Sequence, residues 1–128
     1  MSIDIATRRP TLMDALTPVL ELLTAAGIRV TMDIVQLNPP GCLLGPPELD
    51  FRFNGGDFTA SYTLIAVVGS TDRTRAISNL SEYLSEVLVA LGDRPVTARP
   101  VDVTLADAST VLPGMELRWT TRIRRRNI

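Results

Sequence analysis

Histidine and lysine are both absent from the 128 residues, and cysteine occurs once, at Cys42. Without histidine the chain lacks the commonest general base, the usual nitrogen ligand for metals and every catalytic triad built on an imidazole. A single cysteine allows no disulfide within the chain, cannot anchor a structural zinc site, and has no neighbouring histidine or lysine to activate it. Cys42 therefore reads as a small apolar residue used for filling space. Aromatic residues are scarce, at 5%, which leaves little for stacking on bases. No apolar run is long enough to cross a bilayer, and "MSIDIATRR" at the start is not a basic leader followed by an apolar stretch. The expectation is a soluble protein made in the cytoplasm.

What is present describes one globular unit. Hydrophobic residues make up 45% and charged residues 21%, ordinary for a chain of this length that builds a core unaided. Residues 1–128 are read as a single domain, with residues 1–10 as an N-terminal arm and residues 124–128 as an arginine-rich tail. The net charge is -1, so no overall field draws the chain to nucleic acid. All thirteen basic residues are arginine, and four of them sit in "RIRRR", residues 122–126. Arginine suits bidentate pairing at interfaces, although a GC-rich coding bias gives the same pattern. Such a tail neutralises only a few phosphates, which gives salt-sensitive contact rather than sequence-specific reading of nucleic acid.

Periodicity supplies the elements. Leu12, Leu16, Val19, Leu20, Leu23 and Ala26 recur at helical spacing, with Thr11 as N-cap and Gly27 as stop. Pro18 inside this helix predicts a kink or a restart. "GIRVTMDI" alternates as a half-buried strand from Ile28. "ELDFRF" sets Leu49, Phe51 and Phe53 against Glu48, Asp50 and Arg52, and "NGGD" turns it into a returning strand, "ASYTLIAVVG". That strand is apolar on both faces from Leu64 to Val68, which predicts a central place and a second face covered by something other than the helices. A second helix follows, capped by Ser70, Thr71 or Asp72 and ended by Gly92, with Ile77, Leu80, Leu84, Val87, Leu88 and Leu91 as its core stripe. "VDVTL" and "MELRWTTRIR" close the chain as a hairpin, with Met115, Leu117, Trp119 and Ile123 inward and Glu116, Arg118, Arg122 and Arg124 outward. The predicted fold is α+β: an antiparallel or mixed sheet of about five strands with two helices packed on one face.

Candidate chemistry is thin. Glu48 and Asp50 share a strand face at a spacing that suits a glycosidase-like pair, but alternation alone gives the same residues as a solvated face with Arg52 as counter-charge. "FNGGDF" precedes a strand and lacks the lysine of a phosphate loop, so it reads as a turn. The segment "LNPPGCLLGPPELDF", residues 37–51, is different. Its two Pro-Pro pairs exclude helix and central strand and leave a stiff apolar loop, pre-ordered for a partner or buried against its own domain. An extended backbone there points Leu43 and Leu44 in opposite directions, one inward and one towards a neighbour.

The order of these elements, with "NPPGCLLGPP" and "VVGSTDRTRAISNL" as the most specific stretches, resembles the tail terminator proteins of long-tailed actinobacterial bacteriophages. That resemblance implies a structural protein of the virion tail and neck, not an enzyme, without cofactor or metal. It implies a six-membered ring of this chain that caps the tail tube, stops its polymerisation and joins head to tail. The implied partners are the major tail protein and the head-completion or stopper protein, with DNA passing through the ring and no membrane. Pro39, Pro40, Leu43, Leu44, Pro46, Arg122, Arg124, Arg125 and Arg126 are the expected interface residues. Another head–tail connector protein fits the same residues, as does a small-molecule-binding regulatory module that uses the helix-free sheet face as a pocket.

Overall fold

In the computed structural model the described residues are 2–6, 12–51, 57–69, 72–105 and 110–126. Ten residues in strict alternation set the architecture. Strand β5, Phe58–Val67, turns Phe58, Ala60, Tyr62, Leu64 and Ala66 to one side, where all five are buried. Such a strand needs neighbours on both edges, and it has them. Along one edge it pairs antiparallel with β7, Val111–Arg126, from Phe58↔Ile123 to Val67↔Gly114. Along the other edge β4, Glu48–Asp50, covers its first half and β3, Gly41–Leu44, its second. Between them Pro46 and Pro47 have no N–H to give a ladder, while Gly45 N–H still bonds Thr63 O at 3.0 Å.

Among the described residues the sheet has seven strands. β2, Val30–Thr31, joins β3 in parallel. On the far edge of β7, β6, Thr97–Thr104, lies antiparallel to its first half, and β1, Ser2–Ala6, lies parallel to its second. The two central strands approach so closely at Gly114 that a Cβ there would stand 2.8 Å from Ala66 O and 3.3 Å from Val103 Cγ2.

Both helices cover one face, as the periodicity predicts. α1, Leu12–Ala25, buries Ala15, Leu16, Val19 and Leu23. It runs through Pro18 without interruption, so the single N–H that proline removes does not break it. Gly27, at φ 78°, ends it in the left-handed conformation that a side chain disfavours. α2, Arg73–Leu91, starts at Asp72, whose carboxylate accepts from Thr74 N–H at 3.1 Å. Ser70 and Thr71, also named as possible caps, lie outside the described residues, as does Thr11. The layer between helices and sheet is the main core, where Tyr62 stacks on Trp119 with ring centroids 5.2 Å apart and donates its hydroxyl to Ala15 O at 2.6 Å. Each large apolar side chain fully buried there contributes about 1.5–3 kcal/mol.

Several boundaries differ from the sequence reading. The strand expected from Ile28 onwards is only Val30–Thr31, because Asp33 accepts from Val35 N–H at 3.0 Å and caps a 3-10 turn at Ile34–Gln36. Met32, expected inward, is 51% exposed. The core row of α2 is Ala76, Leu80, Val87 and Leu91, and Ile77 is 64% exposed. The helix settles on this row because the small Ala76 lets it approach Val68. The proline-flanked segment, read as excluding a central strand, contains β3, which has neighbours on both edges: its prolines flank the four ladder residues and do not interrupt them. Residues 2–6 of the expected arm form β1, and Arg124–Arg126 of the expected tail continue β7 beside it. The Ile65–Val67 end of the second face of β5 is covered, as expected, by parts of this chain other than the two helices. Leu37, Val67, Val103 and Leu112 are buried together there, with Ile34, Leu43 and Ile65 packed against them.

Candidate interaction surface

Opposed residues of antiparallel strands share a face, so the register fixes what the helix-free side presents. Below the apolar cluster just described, β5 contributes Thr59, Ser61 and Thr63, and β7 places Arg122, Thr120 and Arg118 opposite them. Glu48 and Asp50 of β4 flank Ser61 and Thr59, and Thr97 and Arg99 of β6 flank Arg118 and Glu116. The surface is polar and closely bonded. Ser61 and Thr120 hydroxyls are 3.1 Å apart, and Arg122 donates to Asp57 at 3.1 Å. Pro46, Glu48, Thr63, Thr97, Arg118 and Thr120 border a shallow cavity of about 690 Å3 on this face.

Glu116, expected to face solvent, is 7% exposed. Arg99 meets both its carboxylate oxygens, at 3.2 and 3.3 Å, and Arg118 bonds Oε1. Two exposed guanidinium groups therefore roof one carboxylate, and the hydrogen bond from Arg99 leads in holding its carboxyl below the ordinary range, with Arg118 adding to it against the cost of burial. Arg99 escaped the sequence reading because the strand "TARPVDVT" was recognised only from Val101. A period-2 reading carried back through Pro100 would have placed Arg99 on the face of Glu116.

The expected interface residues divide. Pro46 and Arg122 lie on this polar face, and Leu43 borders it, half-buried against the second cluster. Leu44 points the other way and is fully buried in the main core. Pro39 is half-buried and Pro40 exposed, joined by a cis peptide bond at the top of β3. Arg124 is exposed, and the side chains of Arg125 and Arg126 lie outside the described residues. Arg52 and Phe53 are likewise outside them. Glu48 and Asp50 share the face as the alternation required.

A second open surface follows α2. Val89 is 79% exposed and Leu88 37%, and the side of the helix facing β6 borders a cavity of about 510 Å3 between Ile77 and Leu84 on one wall and Pro100 on the other. Cys42 offers no chemistry. It is fully buried, with Tyr83 Oη 3.6 Å from its sulfur, and burial pushes its thiol up to about 11. Among the described residues no group of three or more Cys, Asp or Glu is placed to hold a metal ion, and no helix is long and apolar enough to cross a membrane.

No protein-family model matches the chain, and no curated protein matches it in sequence. The functional reading therefore rests on the chain's own residues and surfaces.

Proposed function

We propose that this chain is a structural assembly subunit, a tail terminator that caps a phage tail tube, stops its growth and forms part of the neck. The observation that carries the reading is the pair of unlike open surfaces on one small sheet: a hydrogen-bonded face with exposed Arg118, Arg122 and Arg124, and an apolar groove along α2. Arginine-bearing polar faces and desolvated apolar anchors are the two ingredients of protein interfaces. The link to phage tails is the resemblance of "NPPGCLLGPP" and "VVGSTDRTRAISNL".

Oligomeric rings capping tube ends, seen by negative-stain microscopy when the purified chain is mixed with polymerising major tail protein, are the expected result. Tubes that grow to the same length with and without the chain overturn the reading. So does a small ligand that saturates the sheet-face cavity and raises the melting temperature while tubes stay uncapped, because that result belongs to a ligand-binding module.

A further inference from the structure

Two guanidinium groups meet the single carboxylate of Glu116, so their cluster carries one positive charge in excess. Arg99 uses Nε and Nη2 on the two carboxylate oxygens, whereas Arg118 uses Nε alone. Among the described residues Arg118 makes no other side-chain hydrogen bond, so the edge formed by its two terminal nitrogens is left unbonded. Its side chain is more than half exposed and borders the sheet-face cavity. That edge matches the two oxygens of a carboxylate, and a guanidinium already fixed at Nε has less freedom to lose when it binds one.

The rest of the face limits the occupant. Glu48 lies on the other side of β5 from Arg118, opposite Ser61 where Arg118 is opposite Thr63. Neighbouring strands are about 4.8 Å apart, so an acidic column on β4 and an arginine column on β7 run about 10 Å apart with the hydroxyls of β5 between them. A polyanion such as a phosphate backbone meets Glu48, Asp50 and Glu116 along with the arginines, and gains little. A single small anion satisfies one column only. A protein surface that presents a carboxylate to Arg118 and a basic side chain to Glu48 satisfies both. We infer that Arg118, held in place by Glu116, is the anchor of the polar face and takes a carboxylate side chain of the protein that docks there. On the terminator reading, on which this inference rests, that protein is the major tail protein.

The chain has no lysine, which opens the contact to a zero-length cross-linker. A carbodiimide joins an amine to a carboxylate only where the two touch. Arg118→Lys, mixed with tubes of major tail protein, gives an amide-linked conjugate, and mass spectrometry places the link between residue 118 and an Asp or Glu of the tail protein. Thr24→Lys, exposed on α1, gives no more conjugate than the lysine-free wild type. Arg118→Ala melts close to wild type and caps tubes roughly ten-fold or more weakly. If the alanine variant fails to fold, Arg118→Lys, which keeps the stem and the charge, still decides the matter. Equal capping by wild type and Arg118→Ala, or no conjugate from Arg118→Lys on capped tubes, overturns the inference and leaves the terminator reading standing. So does a link that forms only within the chain, to Glu116 or Glu48. Tubes that the wild type leaves uncapped overturn both.

Discussion

Glu116 shows how the polar face is held together at the level of single residues. A carboxylate this enclosed by side chains is unfavourable if unpaired, and the β6–β7 register sets Arg99 directly opposite it while Arg118 follows two residues on. Both arginines remain more than half exposed, so the pairing also decides where their guanidinium groups sit on the surface. A carboxyl whose folded pKa lies below its unfolded value stabilises the fold above the ordinary carboxylate range, and that contribution is lost as pH falls towards the folded value. The melting temperature should therefore drop as pH is lowered from about 5 to about 3, and Glu116→Gln should flatten the slope. A Gln variant with the wild-type slope would assign the acid sensitivity to other carboxylates. Cys42 makes the complementary prediction at the alkaline side. With its thiol pushed up to about 11, the thiolate fraction at pH 8 is roughly 100-fold or more below that of a free cysteine. Labelling by a thiol reagent should be slower in the native protein by at least that factor and become fast in denaturant.

Among the elements, β3 carries the most instructive difference between sequence and structure. Four prolines in nine residues argued against a central strand, yet the prolines stand outside Gly41–Leu44, and those four residues pair with β5 throughout. The expected alternation of Leu43 and Leu44 is present, with opposite environments. Leu44→Ala should cost about 2–5 kcal/mol in denaturant unfolding and Leu43→Ala about 1 kcal/mol, and equal losses would contradict the assigned faces. The long elements, α1, α2, β5 and β7, were legible because each repeats its period many times. The short β1 was not, since its pairing comes from a distant partner and leaves no local pattern, and β2 was read as a strand but too long. The rotation of α2 was hidden because Ile77 looks like a better core residue than Ala76, and only the proximity of Val68 decides between them. Of the candidate surface, the arginines of β7 were legible from alternation, whereas Arg99 and the threonines beside them depend on a register that one strand cannot reveal. The same dependence governs the C-terminus. Arg124, Arg125 and Arg126 pair with Asp4, Ile5 and Ala6, so deleting residues 124–128 should accelerate amide exchange at residues 4–6 while protection in β5 persists. Protection lost uniformly across β5 and β7 would mean that β1 pairing supports the whole sheet.

For the whole molecule the decisive feature is that its two open surfaces lie on different sides of the sheet and share no described side-chain contact, so changes in one should leave the other intact. Arg122 belongs to the polar face and pairs with Asp57 at 3.1 Å, with nearly half of its side chain exposed. An exposed pair of this kind contributes no more than about 1 kcal/mol to folding, so Arg122→Ala should melt close to wild type. At an interface, however, truncating an arginine anchor can cost about 2 kcal/mol or more. If the polar face meets the tail tube, Arg122→Ala should weaken capping by roughly ten-fold or more, while the sedimented mass of the free chain is unchanged. Leu88→Glu, on the exposed side of α2, should leave capping in place. The double variant should cap no worse than Arg122→Ala alone. Capping lost in Leu88→Glu but retained in Arg122→Ala would move the tube-binding surface from the sheet face to α2.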